Sequence, residues 1–185
     1  DMSTLFQDSA GTTPVTAVED PVGKILDKSG RGNHATQPTS GKRPKLSARK
    51  NWLLATTTLS TQSVTLLAAP HTLSFTGTGT LTLTGASTAG PLVGTGVSDR
   101  VSLTFTPSAG SVTFTVSGSV TLAQLEYGSV AGTYQRVTTS TNYDTAGFPH
   151  YLAFDGVDDF LITGSIDFTA TDAMTIVSGI QKTTD

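Results

Sequence analysis

The chain has 185 residues, 11 basic and 14 acidic side chains, a net charge of −3 and no cysteine. Charged residues make up 14%, against about 25% in an average domain, so the chain as a whole offers no field for nucleic acid or an anionic membrane. Without thiols there are no disulfides and no thiolate metal sites, and no run of about 18 apolar residues or signal-peptide pattern predicts membrane insertion.

Residues 1–41 read as loop, because "DSAGTTP", "DKSGRGNHATQ" and "PTSG" are dense in turn formers. Residues 42–50 gather Lys42, Arg43, Lys45, Arg49 and Lys50, read as a solvated linker at a domain boundary, with a polyanion-binding patch as the lesser alternative. From Asn51 the texture changes. In "HTLSFTGTGTLTLTG" the residues Leu73, Phe75, Leu81 and Leu83 recur at odd positions with hydroxyl residues between them. A period of two predicts strands with one face in a core and a hydroxyl-rich face outside. Gly77 and Gly79 interrupt the apolar stripe, where a bulge or bend is expected.

Farther on, Val101, Leu103 and Phe105 predict one strand, and Val112, Phe114 and Val116 a second. Pro107–Gly110 lies between them as a hairpin turn. "SVTLAQLEYG" adds a further strand, so at least five fall between Trp52 and Tyr127. The fold class expected is all-β, an antiparallel sandwich or jelly roll at residues 49–138, flanked by segments 1–48 and 139–185. The last segment holds "YLAFDGVDDFLI" and then one more strand-like run, "AMTIVSGI".

Candidate chemistry is sparse. His34, His71 and His150 belong to no metal-binding spacing and are expected in turns or at strand edges. No G-x-S-x-G elbow is present, and the Gly-rich "GTGTL" lacks the lysine and following helix of a phosphate cradle. Glycoside hydrolysis needs two cooperating carboxylates, and the two glutamates, Glu19 and Glu126, fall in different segments. Asp155, Asp158 and Asp159 are candidate ligands for Ca2+, the only cofactor entertained. A tight turn from Asp155–Gly156, kept wet by the acids after it, is the stronger reading. Asp158 and Asp159 are adjacent and would point to opposite faces of a strand, which makes them a poor acid–base pair.

Two pieces of the chain resemble known families. "DKSGRGNHATQ" (Asp27–Gln37) together with "YLAFDGVDDFLI" resembles concanavalin A-like, laminin G-like lectin modules. In that family the acidic stretch is mainly a tight link between core strands. "RKNWLLATTTLS" and "AQLEYGSVAGTYQRV" resemble the opening and closing strands of carbohydrate-binding-module-like jelly rolls found in tailed-phage virion proteins. The combination implies a lectin-like module interrupted by a jelly roll, with the lectin part expected to stop mid-domain.

What the resemblance implies is a non-enzymatic virion protein, tail-fibre or surface-attached, working in assembly or host-glycan attachment. A binding module of a secreted glycan-degrading enzyme and a capsid decoration protein are the alternatives. The implied ligand contacts are Gln124, Glu126, Tyr127, Tyr134 and Trp52, although a core role is the safer reading of Trp52. Expected partners are other virion proteins, host-surface glycans and further copies of the chain, a trimer among them. The expected location is the exposed surface of a virion made in a bacterial cytoplasm.

Overall fold

The computed structural model describes residues 2–166 and 179–180. The chain is all-β, with antiparallel sheets and two short 3-10 turns at Met2–Thr4 and Ser40–Lys42. Among the described residues no helix is long and apolar enough to cross a membrane. Two compact units form, one from residues 2–48 with 149–166, the other from Arg49–Phe148.

The first unit begins with β1 (Leu5–Phe6), β2 (Lys24–Ile25), β3 (Ala35–Thr36) and β4 (Lys45–Ser47). These strands are short because the intervening segments are shaped by acidic side chains rather than by ladders. The Asp8 carboxylate accepts the N–H groups of Gly11, Thr12 and Thr13, and Asp20 those of Thr16 and Ala17. Asp27 accepts from Ser29 N–H, Ser29 Oγ and Asn33 N–H, which closes the "DKSGRGN" turn and pulls its pKa down to about 2. The basic run at 42–50 is not a solvated linker. Arg43 donates to the carbonyls of Gln37 and Pro38, Lys45 lies in β4, and Lys42 pairs with Asp158.

The second unit is built from β5 (Gln62–Leu66), β6 (His71–Gly77), β7 (Thr80–Gly85), β8 (Leu92–Val93), β9 (Gly96–Phe105), β10 (Gly110–Ser117) and β11 (Thr121–Tyr127). Sheet order β5-β10-β7-β8 faces sheet order β11-β6-β9 across a core of Leu53, Leu66, Leu73, Phe75, Leu81 and Phe114, among others. The expected alternation is therefore present. The expected hairpin is not, because β9 and β10 belong to different sheets and meet across the core instead of pairing. Pro107, buried in their connection, cannot donate to a ladder.

Gly77 does break the pattern. It adopts φ +126°, and the β6–β9 register shifts between Phe75 and Gly77. The segment 51–60, expected as a strand, runs irregularly beside β11. Trp52 N–H donates to Leu125 O, Leu59 N–H to Val120 O, and Ala55 sits at φ +49°. This unit closes with β12 (Val137–Thr139) and β13 (Asn142–Tyr143) and runs to Phe148, ten residues beyond the boundary read from sequence. Ala55 and Thr56 N–H groups donate to Thr138 and Val137, and Tyr143 is buried, so this hairpin is part of the sandwich.

The chain then returns to the first unit as β14 (Tyr151–Ala153), paired with β4, and β15 (Ile162–Thr163), paired with β3. The two strands flanking the acidic turn were expected to be buried. Instead Tyr151, Phe154, Phe160 and Ile162 are exposed. The strand-like run at 173–180 lies outside the described residues apart from Gly179 and Ile180.

Candidate functional site

The strongest cluster of candidate side chains sits on the β11-β6-β9 sheet, on the face away from the core. Alternation puts Thr72, Ser74 and Thr76 of β6 there, with Gln124 and Glu126 of β11. Sequence reasoning places a hydroxyl face of this kind in water, but here all five are buried. The segment after β11, residues 128–136, folds back over Thr72, Gln124 and Glu126. Thr72 Oγ1 donates to Gly128 O, Gln124 Nε2 to Thr133 O, and Gln135 N–H to Gln124 Oε1 at 2.8 Å.

Glu126 is the only buried carboxylate among the described residues. Its Oε1 accepts from Gln124 Nε2 at 2.6 Å and from Gly132 N–H at 2.7 Å, and Lys50 Nζ stands 2.7 Å from Oε2. Charge, donors and geometry agree, so burial of this carboxylate is compensated. Arg100 completes the cover. Its guanidinium donates to Ser74 Oγ at 2.8 Å and to Leu122 O at 2.8 Å, and lies 5.5 Å from the Tyr134 ring centroid. Tyr134 in turn shares a 2.8 Å hydrogen bond between its hydroxyl and Thr56 Oγ1.

Trp52 and Tyr127 lie at the end of the same sheet. Their rings meet edge to face at 5.7 Å, with the Arg49 guanidinium 5.8 Å from the Trp52 ring centroid. Trp52 packs against the core, partly buried. The Tyr127 ring lies tilted against His71 at 4.5 Å, and His71 stacks on Phe105 at 6.1 Å. His71 is thus a core side chain at the start of β6 and not a surface turn residue. Its Nδ1 is 2.7 Å from Ala69 O, and burial holds its pKa below the usual histidine value, so the imidazole is neutral with the proton on Nδ1.

The structure therefore divides the five implied ligand residues between two faces of the sheet: Gln124, Glu126 and Tyr134 belong to the covered outer face, whereas Trp52 and Tyr127 pack with His71 at the edge of the core. Gln124 and Glu126 have their polar atoms engaged beneath that cover. Trp52, Tyr127 and Tyr134 keep part of their rings in solvent. Sequence reasoning missed Asn51, which is fully buried. Its Nδ2 donates to Ala123 O and Gln135 O, and its Oδ1 accepts from Leu53 and Leu125 N–H. An asparagine ahead of a hydrophobic pair was the one available signal.

Asp155, Asp158 and Asp159 do converge, with carboxylate oxygens within 4.8 Å of one another. Asp155 Oδ1 accepts the N–H groups of Val157, Asp158 and Asp159, which lowers its pKa, while Asp159 Oδ2 accepts Asp155 N–H. Desolvation, and then the neighbouring carboxylates, raise the Asp159 pKa. Asp158 pairs with Lys42 at 3.4 Å. Ca2+ takes six to eight oxygens, roughly, and this trio offers three carboxylates already serving a turn and an ion pair. His34 accepts Asp27 N–H through Nδ1, and His150 lines an apolar cavity of about 250 Å3 with Met2, Leu5, Leu46, Tyr151 and Leu152.

Comparison of the chain with protein-family models, curated proteins and solved structures finds no match in any of the three.

Proposed function

We propose that this chain is a non-enzymatic β-sandwich module of a tailed-phage virion protein, tail-fibre or surface-attached, serving assembly and host-glycan attachment. The observation that carries the reading is what the carboxylates do. Glu126 is buried in bonds to Lys50, Gln124 and Gly132, and Asp155 organises a turn through three N–H groups. Acid–base or nucleophilic work by either would require breaking the structure that holds it. Partners are other virion proteins and host-surface glycans, with copies of the chain held together as a homo-oligomer, a trimer in a fibre.

Attachment of this kind works through weak contacts repeated many times. A single site binds a sugar at roughly millimolar strength, near −4 kcal/mol. Copies arrayed on one particle raise the effective affinity without any new contact. The test is a glycan array probed with the multimerised chain, beside binding to purified virions. Retention of defined glycans without their turnover is the expected result. An empty array with specific capsid binding would replace attachment by decoration, and turnover of a polysaccharide abolished by Asp158→Asn would overturn the non-enzymatic assignment.

A further inference from the structure

The two sheets of the sandwich present very different outer faces. That of β11-β6-β9 is partly covered by residues 128–136 and carries Arg100 and Glu126. The strands β5, β10, β7 and β8 contain no charged residue at all. Their inward side chains fill the core, and their outward ones are almost all threonine and serine.

Register turns these hydroxyls into rows. Thr113 stands between Ser63 and Thr84, the next row pairs Thr115 with Thr82, and Ser111 begins the row on the other side. Rows repeat every second residue, about 6.7 Å apart along the strand, and columns about 4.8 Å apart across strands. Ser63 Oγ and Thr113 Oγ1 share a 2.7 Å hydrogen bond, which orients the pair before any partner arrives. Thr82, Thr84 and Thr115 are exposed, and Val93, opposite Thr80, adds an exposed apolar edge.

β-propensity explains threonine on a strand, but it does not explain the absence of lysine and glutamate from a solvated sheet face, where charges normally maintain solubility. A face that is uncharged and lined with groups that both donate and accept matches a partner of the same kind. A charged polymer would find no counter-charge here to offset its desolvation.

We infer that the hydroxyl face of β5-β10-β7 is a docking surface for a neutral, extended polysaccharide, whose hydroxyls exchange hydrogen bonds with the threonine rows. Flat-on binding spreads many weak hydrogen bonds over the face, and Val93 contacts sugar C–H groups at its margin. This rests on the glycan-attachment reading above and assigns it a surface separate from Tyr127 and Tyr134.

The full chain is mixed with suspensions of cellulose, chitin and an insoluble α-glucan, and with a polyuronate gel, and depletion from solution is measured. The chain is expected to be retained by at least one neutral polymer and not by the polyuronate. The triple substitution Thr82→Val, Thr113→Val, Thr115→Val keeps shape and strand propensity but removes three hydroxyls, and retention should fall at least about tenfold. Thr115→Lys, which puts a charge on the face, should lower it comparably, with circular dichroism and melting unchanged in both.

Retention within twofold of wild type in the triple variant, or preference for the polyuronate, overturns the inference. Loss of retention in Tyr127→Ala/Tyr134→Ala but not in the triple variant does so too, while leaving the attachment function standing. Failure to hold any glycan, neutral or acidic, soluble or insoluble, removes both.

Discussion

Asn51→Ala tests whether one buried amide ties the opening segment of the sandwich to its closing strand. Asn51 uses its whole side-chain capacity, two donors to Ala123 O and Gln135 O and two bonds accepted from Leu53 and Leu125 N–H. Truncation leaves two N–H groups and two carbonyls without that partner. Each buried group left unsatisfied costs about 1–3 kcal/mol, and partial relaxation brings the total to about 3–5 kcal/mol. For a unit of this size the whole stability is of the order of 5–15 kcal/mol, so the variant loses a large share of it.

Trp52, the only tryptophan, lies next to Asn51 and reports this unit alone in a urea titration. With a slope of about 1.5 kcal/mol per M, the midpoint should fall by about 2–3 M. Asn142→Ala, at an exposed position of the same unit, should move it by less than about 0.3 M. A loss under about 1 kcal/mol in Asn51→Ala would refute the account. Asn51→Asp keeps the accepting Oδ1 but replaces the donating Nδ2 with a charged oxygen set against two carbonyls, so at neutral pH it should be no milder than alanine.

Gly77→Ala forces a φ of +126° on an alanine and drives its Cβ into Ser119 O, so it should cost at least about 2 kcal/mol. Gly147→Ala, strained at φ +83° but facing open space, should cost about 1, and thermal melts separate the two. His71 has a folded pKa below its unfolded value near 6.5, so the unfolded chain binds the proton first as pH falls. Its contribution is therefore present above pH 6.5 and is lost on acidification through the folded pKa, and urea midpoints of His71→Phe should depend less on pH between 6.5 and 5. If Asp155 serves the turn, Asp155→Ala should speed amide exchange across 155–160, while Asp155→Asn, which keeps an acceptor, changes it little. Millimolar Ca2+ should leave the melting temperature of the wild type unmoved, and a rise of several degrees would restore the metal reading.

The candidate site was legible in part. The "AQLEYG" stretch led to Gln124, Glu126 and Tyr127, and the structure pairs Gln124 with Glu126 on the outer face and Tyr127 with Trp52 at the core edge. What the text of the sequence could not carry is that residues 128–136 turn back over the strand that precedes them. That fold-back covers Thr72 and Gln124, Arg100 covers Ser74, and an outer face becomes a buried one. The role of Asn51 was invisible for the same reason, since its four partners lie at positions 53, 123, 125 and 135.

Local stereochemistry explains the division. Alternation at Leu73, Phe75, Leu81 and Leu83 reflects the pleat, a property of neighbouring residues, so the all-β class and the core-facing side chains followed from sequence alone. Asp155–Gly156 announced its turn for a like reason, because an aspartate carboxylate reaches the N–H groups just after it. Strand partners are a different matter. A hairpin and an arch across the core give β9 and β10 the same period of two, and only long-range burial chose the arch. Tertiary packing likewise decided which hydroxyl face was covered and which was left to water.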